Sequence, residues 1–157
     1  MIGVFVLILQ IPGQESIQLI HAVFDMNGTL AKDGKLIDGV SVLFKQVSQQ
    51  YKCHILTNDT FGTAASVESE LGIPITVVGS GEEKANMVKQ LGNNTVAVGN
   101  GSNDYPMLLQ SSLKIVVLGP EGTSGRVMSI ADIVTPSILV ALELLLSPQR
   151  IIATMRP

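Results

Sequence analysis

The sequence predicts a doubly wound α/β domain, and three observations carry that prediction. β-rich and helix-like stretches alternate along the chain, and each helix-like stretch is long enough to cross a sheet. Neither internal repeats nor low-complexity linkers divide the 157 residues. Strands alternating with such helices build βαβ units with right-handed crossovers and a mostly parallel sheet, helices packing on both faces.

The elements follow in order. Residues 4–11 are β-rich, Pro12 and Gly13 punctuate them, and residues 18–24 are β-rich again, which predicts an N-terminal β-hairpin. Strand-like runs then fall at 22–25, 54–57, 76–78, 96–98, 115–118 and 132–134. Helix-like stretches with apolar residues three or four apart fall at 40–50, 63–71, 82–91, 104–110, 124–129 and 137–146. The expected organisation is one domain over 1–157, with a hairpin extension at 1–20, a core at 21–147 and a C-terminal tail at 148–157. Residues 150–157 are basic and too short to assign.

Composition narrows the function classes. The chain is 46% apolar but only 15% charged, against about 25% charged in an average soluble domain, so its surface is poor in charge. One cysteine, Cys53, excludes a disulfide scaffold, and a net charge of −3 gives no basic footprint for nucleic acid. The apolar run 2–9 is too short for a bilayer, which needs about 20 residues, and Glu143 interrupts the run 138–146. Residues 2–9 also lack the basic start and small-residue cleavage site of a signal peptide. The expectation is a cytoplasmic protein that binds neither nucleic acid nor membrane.

In open α/β sheets ligands bind beyond the carboxyl ends of the strands, and polar clusters sit there. The first core strand ends in Asp25-Met26-Asn27-Gly28-Thr29, the second in Thr57-Asn58-Asp59. Lys84 lies in the first turn of the helix before the fourth strand, which ends in Gly99-Asn100-Gly101-Ser102-Asn103-Asp104. Singly, each reads as a turn residue, a helix cap or a solvated charge. Together they are the parts of phosphoryl transfer through a carboxylate: a nucleophile, hard oxygen ligands for Mg²⁺, and a hydroxyl and an ammonium to hold phosphoryl oxygens.

The run Asp25–Thr29 resembles the DxDGT motif of the haloacid dehalogenase superfamily of phosphatases, and its DKTGT form in P-type ATPases. Thr57-Asn58-Asp59, Thr63-Ala64 and Leu71-Gly72-Ile73 match TGD…TA…LGI. Lys84, Val88 and Leu91 match KxxxVxxL, and residues 96–108 match VAxVGDGxNDxPxL. Gly122-Thr123 and residues 131–134 resemble GT…ADIV, with one extra residue between them. The resemblance, ordered from about residue 23 to residue 134, implies a three-layer, Rossmann-like fold. It also implies Asp25 as nucleophile, Thr57 and Asn58 near phosphate, and Lys84 clamping the phosphoryl group. The main-chain carbonyl of Asn27, with Asp25, Asn100 and Asp104, would face Mg²⁺, and Asn103 would hold the loop or phosphate.

Two substitutions depart from that pattern. Asn27 stands where soluble phosphatases of the superfamily carry the acid/base Asp; an amide cannot shuttle a proton at neutral pH, and such help is worth about 10²–10⁴-fold. Asn100 replaces an Asp that ligates Mg²⁺, removing one negative charge. Between Asp25 and Thr57 there is room for one flap-like turn at 32–35 and one helix, and between Thr57 and Lys84 for one helix and one strand. These are the two places where superfamily members insert a cap, so the expected site is open. That implies a bulky phosphorylated partner, a homo-oligomer or partner subunit that closes the site, or low specificity.

The resulting expectation is a slow, Mg²⁺-dependent phosphohydrolase acting on a phosphorylated substrate of unknown identity. The alternative is a weakly catalytic phosphate- and Mg²⁺-binding regulatory or interaction module on the same fold. His21, His54 and Cys53 read as packed structural residues, Asp59 as a helix cap, and the turn 119–122 as a candidate rim of the site.

Overall fold

A computed structural model describes residues 5–157. The hairpin strands β1 (Leu7–Leu9) and β2 (Ile17–Leu19) pair antiparallel, Leu7 opposite Leu19. The rest of the chain alternates: β3 (His21–Asp25), the short pair β4 (Ala31–Lys32) and β5 (Lys35–Leu36), α1 (Val40–Ser48), β6 (Lys52–Thr57), α2 (Ala64–Leu71), β7 (Ile75–Val77) and α3 (Gly81–Leu91). After these come β8 (Thr95–Gly99), α4 (Tyr105–Gln110), β9 (Leu113–Val117), α5 (Gly125–Met128), β10 (Ile133–Thr135), α6 (Ile138–Leu145) and α7 (Pro148–Met155).

The six core strands lie in the order β10-β9-β8-β3-β6-β7, all parallel. The chain winds from β3 outward through β6 to β7, returns through α3 to β8 on the other side of β3, and continues outward to β10. β3 is therefore central, and Asp25 leaves the sheet at the point where the winding direction reverses.

Side-chain alternation along the strands builds two cores. Phe24, Val96, Val98, Leu113, Ile115 and Val117 pack with Val40, Phe44, Val67, Leu142 and Leu145 of α1, α2 and α6. Val23, Leu56, Ala97 and Val116 face the opposite way, against Val88, Met107, Leu108 and Val127 of α3, α4 and α5. Strands covered on both faces are near-continuously apolar, which is why β8 and β9 carry no polar alternation. The Phe24 and Phe44 rings meet edge-on at 5.1 Å.

Two segments depart from the sequence reading. The second arm of the hairpin is not one strand: Asn94 O accepts the N–H groups of both Ile20 and His21, so β2 ends and β3 joins the large sheet. Of the first arm, residue 4 lies outside the described residues. The C-terminal tail at 148–157, left unassigned in the sequence, forms α7, which starts at Pro148, a good first helical residue, and buries Ile151 fully. Among the described residues no single helix is long and apolar enough to cross a membrane; α6 and α7 pass on composition only as a pair bent by 105°.

Candidate functional site

Loops after β3, β6, β8 and β9 converge at the carboxyl edge of the sheet around a cavity of about 260 Å³. Of the residues singled out in the sequence, Asp25, Asn27, Thr57, Asn58, Asn100 and Asn103 line it. Lys84 and Asp104 reach the same place from behind and are fully buried.

The loop after β3 is a tight turn about one acceptor: Met26 O receives the N–H groups of Thr29, Leu30 and Ala31. Gly28 has φ +81°, and a Cβ on it would lie 2.5 Å from Asn100 Nδ2, so glycine is required there. Thr29 Oγ1 stands 3.3 Å from Asp25 Oδ2 and 3.2 Å from Asn100 Oδ1, and its single proton serves one of them at a time.

Lys84 is placed by the start of α3. Ser80 caps that helix by accepting the Glu83 N–H at 3.2 Å, and Glu83 Oε2 accepts the Gly79 N–H at 2.7 Å. A Cβ on Gly81 would come within 2.5 Å of Asn103 O, so only glycine lets α3 start this close to the loop after β8. One turn in, Lys84 Nζ donates to Asp25 Oδ1 at 2.7 Å and to Asp104 Oδ1 at 3.0 Å. Asp104 Oδ2 accepts the N–H groups of Asn100 and Gly101 at 3.1 and 3.0 Å.

Two carboxylates therefore share one ammonium in a buried setting. Burial and the nearby Asp104 push the Asp25 carboxyl up to about 7, against the opposing pull of Lys84 and Thr29. Burial would lower Lys84, but Asp104 and Asp25 outweigh it and hold its pKa above the ordinary lysine value. A cation on the cavity side of Asp25 would relieve this excess of negative charge.

Thr57 Oγ1 accepts the Asp59 N–H at 2.9 Å, which leaves its own proton to donate. Asp59, at φ +54°, accepts the Ala64 N–H at 2.9 Å through Oδ1 and so caps α2. Asn100 Nδ2 donates to Gly122 O at 2.8 Å, tying the loops after β8 and β9 together. A Cβ on Gly119 would overlap Gly28 O, so the 119–122 turn is pressed onto the turn after Asp25.

The hairpin of β4 and β5, here the roof hairpin, does not line the cavity itself but packs against Glu121 and Phe61, which do. Its turn residues Asp33 and Gly34 have φ 50° and 80°, the two-residue turn that suits tight hairpins. Asp33 N–H donates to Glu121 Oε2 at 3.1 Å on one side, and Thr63 Oγ1 donates to Gly34 O at 2.7 Å on the other.

Four contributors went unassigned in the sequence: Thr29, Thr60, Phe61 and Glu121, the last three lining the cavity. Thr29 was visible inside the Asp25 run, and Glu121 sits in the turn read as a rim. Thr60 and Phe61 carried only their place after the β6 cluster. Elsewhere, His21 Nδ1 and His54 Nε2 are 3.0 Å apart. Burial is the largest cause lowering both imidazoles; Lys52 adds to it at His21, and His21 and Lys52 add to it at His54. Burial pushes the Cys53 thiol up to about 12, so it is no activated nucleophile.

The donors facing the cavity are suited to a hard divalent cation such as Mg²⁺, which takes oxygen ligands. They include the Asp25 carboxylate and the Asn100 amide oxygen, and Asn27 Oδ1 is buried without any hydrogen-bond partner. Among the described residues no three His, Cys, Asp or Glu side chains gather as a metal cluster, so neutral amide oxygens would have to contribute.

No profile of a known protein family matches the chain. An uncharacterised protein of Methanocaldococcus jannaschii is 43% identical over 61 residues, spanning 39% of this chain and 66% of that protein. Among solved structures, the cobalt-bound deoxy-D-mannose-octulosonate 8-phosphate phosphatase of Haemophilus influenzae superposes with a TM-score of 0.68 at 15% identity, over 84% of this chain and 90% of that one. The corresponding Moraxella catarrhalis phosphatase, in complex with magnesium, phosphate and its sugar acid, gives 0.66 at 19% identity over 88% and 94%. A phospho-aspartyl intermediate analogue of phosphoserine phosphatase gives 0.64 at 12% identity over 80% and 97%. The chain thus shares the α/β fold of these solved structures.

Proposed function

We propose that this protein is a phosphomonoester hydrolase that works through an aspartyl phosphate on Asp25, with Mg²⁺ as its cation. The carrying observation is the carboxylate of Asp25 at the end of the central strand, held 2.7 Å from a buried ammonium and open to the cavity. The neighbouring folds belong to phosphatases, among them a magnesium complex and a phospho-aspartyl analogue, and this supports the reading.

Asp25 attacks phosphorus through its cavity-facing oxygen, the bond from phosphorus to the ester oxygen breaks, and the leaving alcohol takes a proton from water. A second water then cleaves the acyl phosphate, returning the Asp25 carboxylate and releasing phosphate. The hydroxyl of Thr57 holds a phosphoryl oxygen, with the amides of Asn58 and Asn103 at the cavity wall, while Lys84, buried behind the cavity, compensates charge on the Asp25 carboxyl. Asp25, the Asn27 main-chain carbonyl and Asn100 would hold the Mg²⁺, which supplies compensation for the meeting of two anions. Asp104, with both oxygens engaged by Lys84 and backbone N–H groups, serves this site by fixing Lys84 and the loop after β8. Because Asn27 offers no proton, both chemical steps are slow.

The P-type ATPase likeness of the motifs belongs to the same proposal, as does the absence of an inserted cap among the described residues. A homo-oligomer or a partner subunit would complete the closure. The test is release of phosphate from p-nitrophenyl phosphate: it should require Mg²⁺ and vanish in Asp25→Asn, and activity that survives that substitution overturns the proposal. The second reading, a binding module, is favoured by the neutral amides at both Asn27 and Asn100; failure of beryllium fluoride to form an adduct at Asp25 with millimolar Mg²⁺ would select it.

A further inference from the structure

We infer that Glu121 supplies the second carboxylate charge of the cation site, taking over the charge that a neutral side chain at position 100 leaves out. The inference rests on the reading of the cavity as a cation-assisted phosphoryl site. Among the described residues, Asp25 and Glu121 are the only carboxylates lining that cavity, and no lysine or arginine lines it. Asp104 is fully buried and does not line the cavity, its oxygens facing Lys84 and two backbone N–H groups instead. A divalent cation beside Asp25 would otherwise meet one carboxylate, already shared with Lys84, and neutral amides.

The position of Glu121 is built rather than incidental. Asn100 Nδ2 donates to Gly122 O at 2.8 Å, and this bond requires an amide: a carboxylate at position 100 would set one oxygen against the Gly122 carbonyl. The same amide that gives up a charge at position 100 therefore pins the turn that carries Glu121. Gly119, whose missing Cβ permits contact with Gly28 O, seats the other end of that turn on the loop after Asp25. The Asp33 N–H fixes Oε2 of Glu121 at 3.1 Å from the roof side, while Oε1 accepts no hydrogen bond among the described residues. The lysines of the roof, Lys32 and Lys35, line a separate groove with Pro120 and Leu139 and do not neutralise the cavity. Two carboxylates with amide and carbonyl oxygens form a donor set that a hard cation takes readily.

The test is cation affinity, measured without turnover. Mg²⁺ is titrated by calorimetry and Mn²⁺ by electron paramagnetic resonance into the full chain as wild type and as Glu121→Gln. Glutamine keeps an acceptor for the Asp33 N–H, so a change reports the charge and not the latch. The expected result is a dissociation constant about 10–100-fold weaker, the range typical for groups that tune a metal site. A constant within twofold of wild type overturns the inference, as does a wild type that binds neither ion at 20-fold the protein's concentration and up to roughly millimolar levels. If Glu121→Gln does not fold, Glu121→Ala is read in the same titration with the same two outcomes. The phosphatase proposal fails separately, on activity that survives Asp25→Asn, and that result leaves the titration readable.

Discussion

Replacing Lys84 by methionine tests the electrostatic centre of the site directly. The lysine is fully buried, and its ammonium sits 2.7 Å from Asp25 Oδ1 and 3.0 Å from Asp104 Oδ1, carboxylates whose side chains are only 8% and 0% exposed. Methionine keeps most of the apolar stem, so the buried space stays filled and the perturbation is chiefly loss of charge. Removing one partner of a buried ion pair costs about 3–5 kcal/mol, because the remaining charge stays buried without compensation. Here two like charges are left, but Asp25 already sits at about 7 and takes up a proton readily, which favours the lower end near neutral pH. With a urea dependence of about 1–3 kcal/mol/M for small proteins, a loss of about 3 kcal/mol lowers the unfolding midpoint by about 1–3 M. The assay is urea unfolding at pH 7 with metal removed, for wild type, Lys84→Met, Asp104→Asn and the double variant. Asp104→Asn should recover part of the loss in the double variant, with a coupling energy above about 1 kcal/mol. A Lys84→Met protein within about 1 kcal/mol of wild type would refute the reasoning, since a buried ammonium bridging two carboxylates cannot be that dispensable.

Other outcomes follow from individual contacts. Asn27→Asp places a carboxyl where the unpartnered Asn27 Oδ1 is buried at the cavity wall and should raise turnover of p-nitrophenyl phosphate about 10²–10⁴-fold; unchanged turnover in a folded variant counts against the missing acid/base as the bottleneck. Gly119→Ala forces the 119–122 turn away from Gly28 O and should cost about 1–3 kcal/mol, seen as a drop in melting temperature of about 2–4 °C per kcal/mol. The pair His21 and His54 titrates below the usual imidazole range when folded, so the unfolded chain binds more protons there. Stability from this pair is present at neutral pH and falls as the pH drops below about 6.5 toward the folded values; melting curves from pH 7.5 to 5 should show the decline, and a double His→Gln variant should flatten it.

Much of the site was legible because chemistry concentrates at strand ends, and strand ends are local events. Asp25 and Thr57 end β3 and β6, and Asn100 follows β8, each at a strand end where polar and glycine residues begin. The roof turn showed itself through Asp33-Gly34, a pair that accepts positive φ. Where the local pattern was ambiguous the reading slipped. The apolar stretch 18–24 looked continuous, and only the Asn94 carbonyl, brought beside Ile20 and His21 by the fold, divides it. Residues 150–157 showed too few turns to assign, yet Ile151 finds a buried seat that stabilises α7.

Fold class, the carboxyl edge of the sheet as candidate site, and the set of polar residues delivered there were readable along the chain, because each rests on periodicity and spacing within one strand-loop-helix unit. The three-dimensional arrangement adds which of those residues pair with one another. It put Lys84 between Asp25 and Asp104, turned Asp104 away from the cavity, engaged the Asn100 amide with Gly122, and brought Glu121 to the opening. Those pairings join residues 20 to 88 positions apart. Hydrogen bonds and charges act over a few ångströms of space, and chain order does not encode which distant groups will come that close.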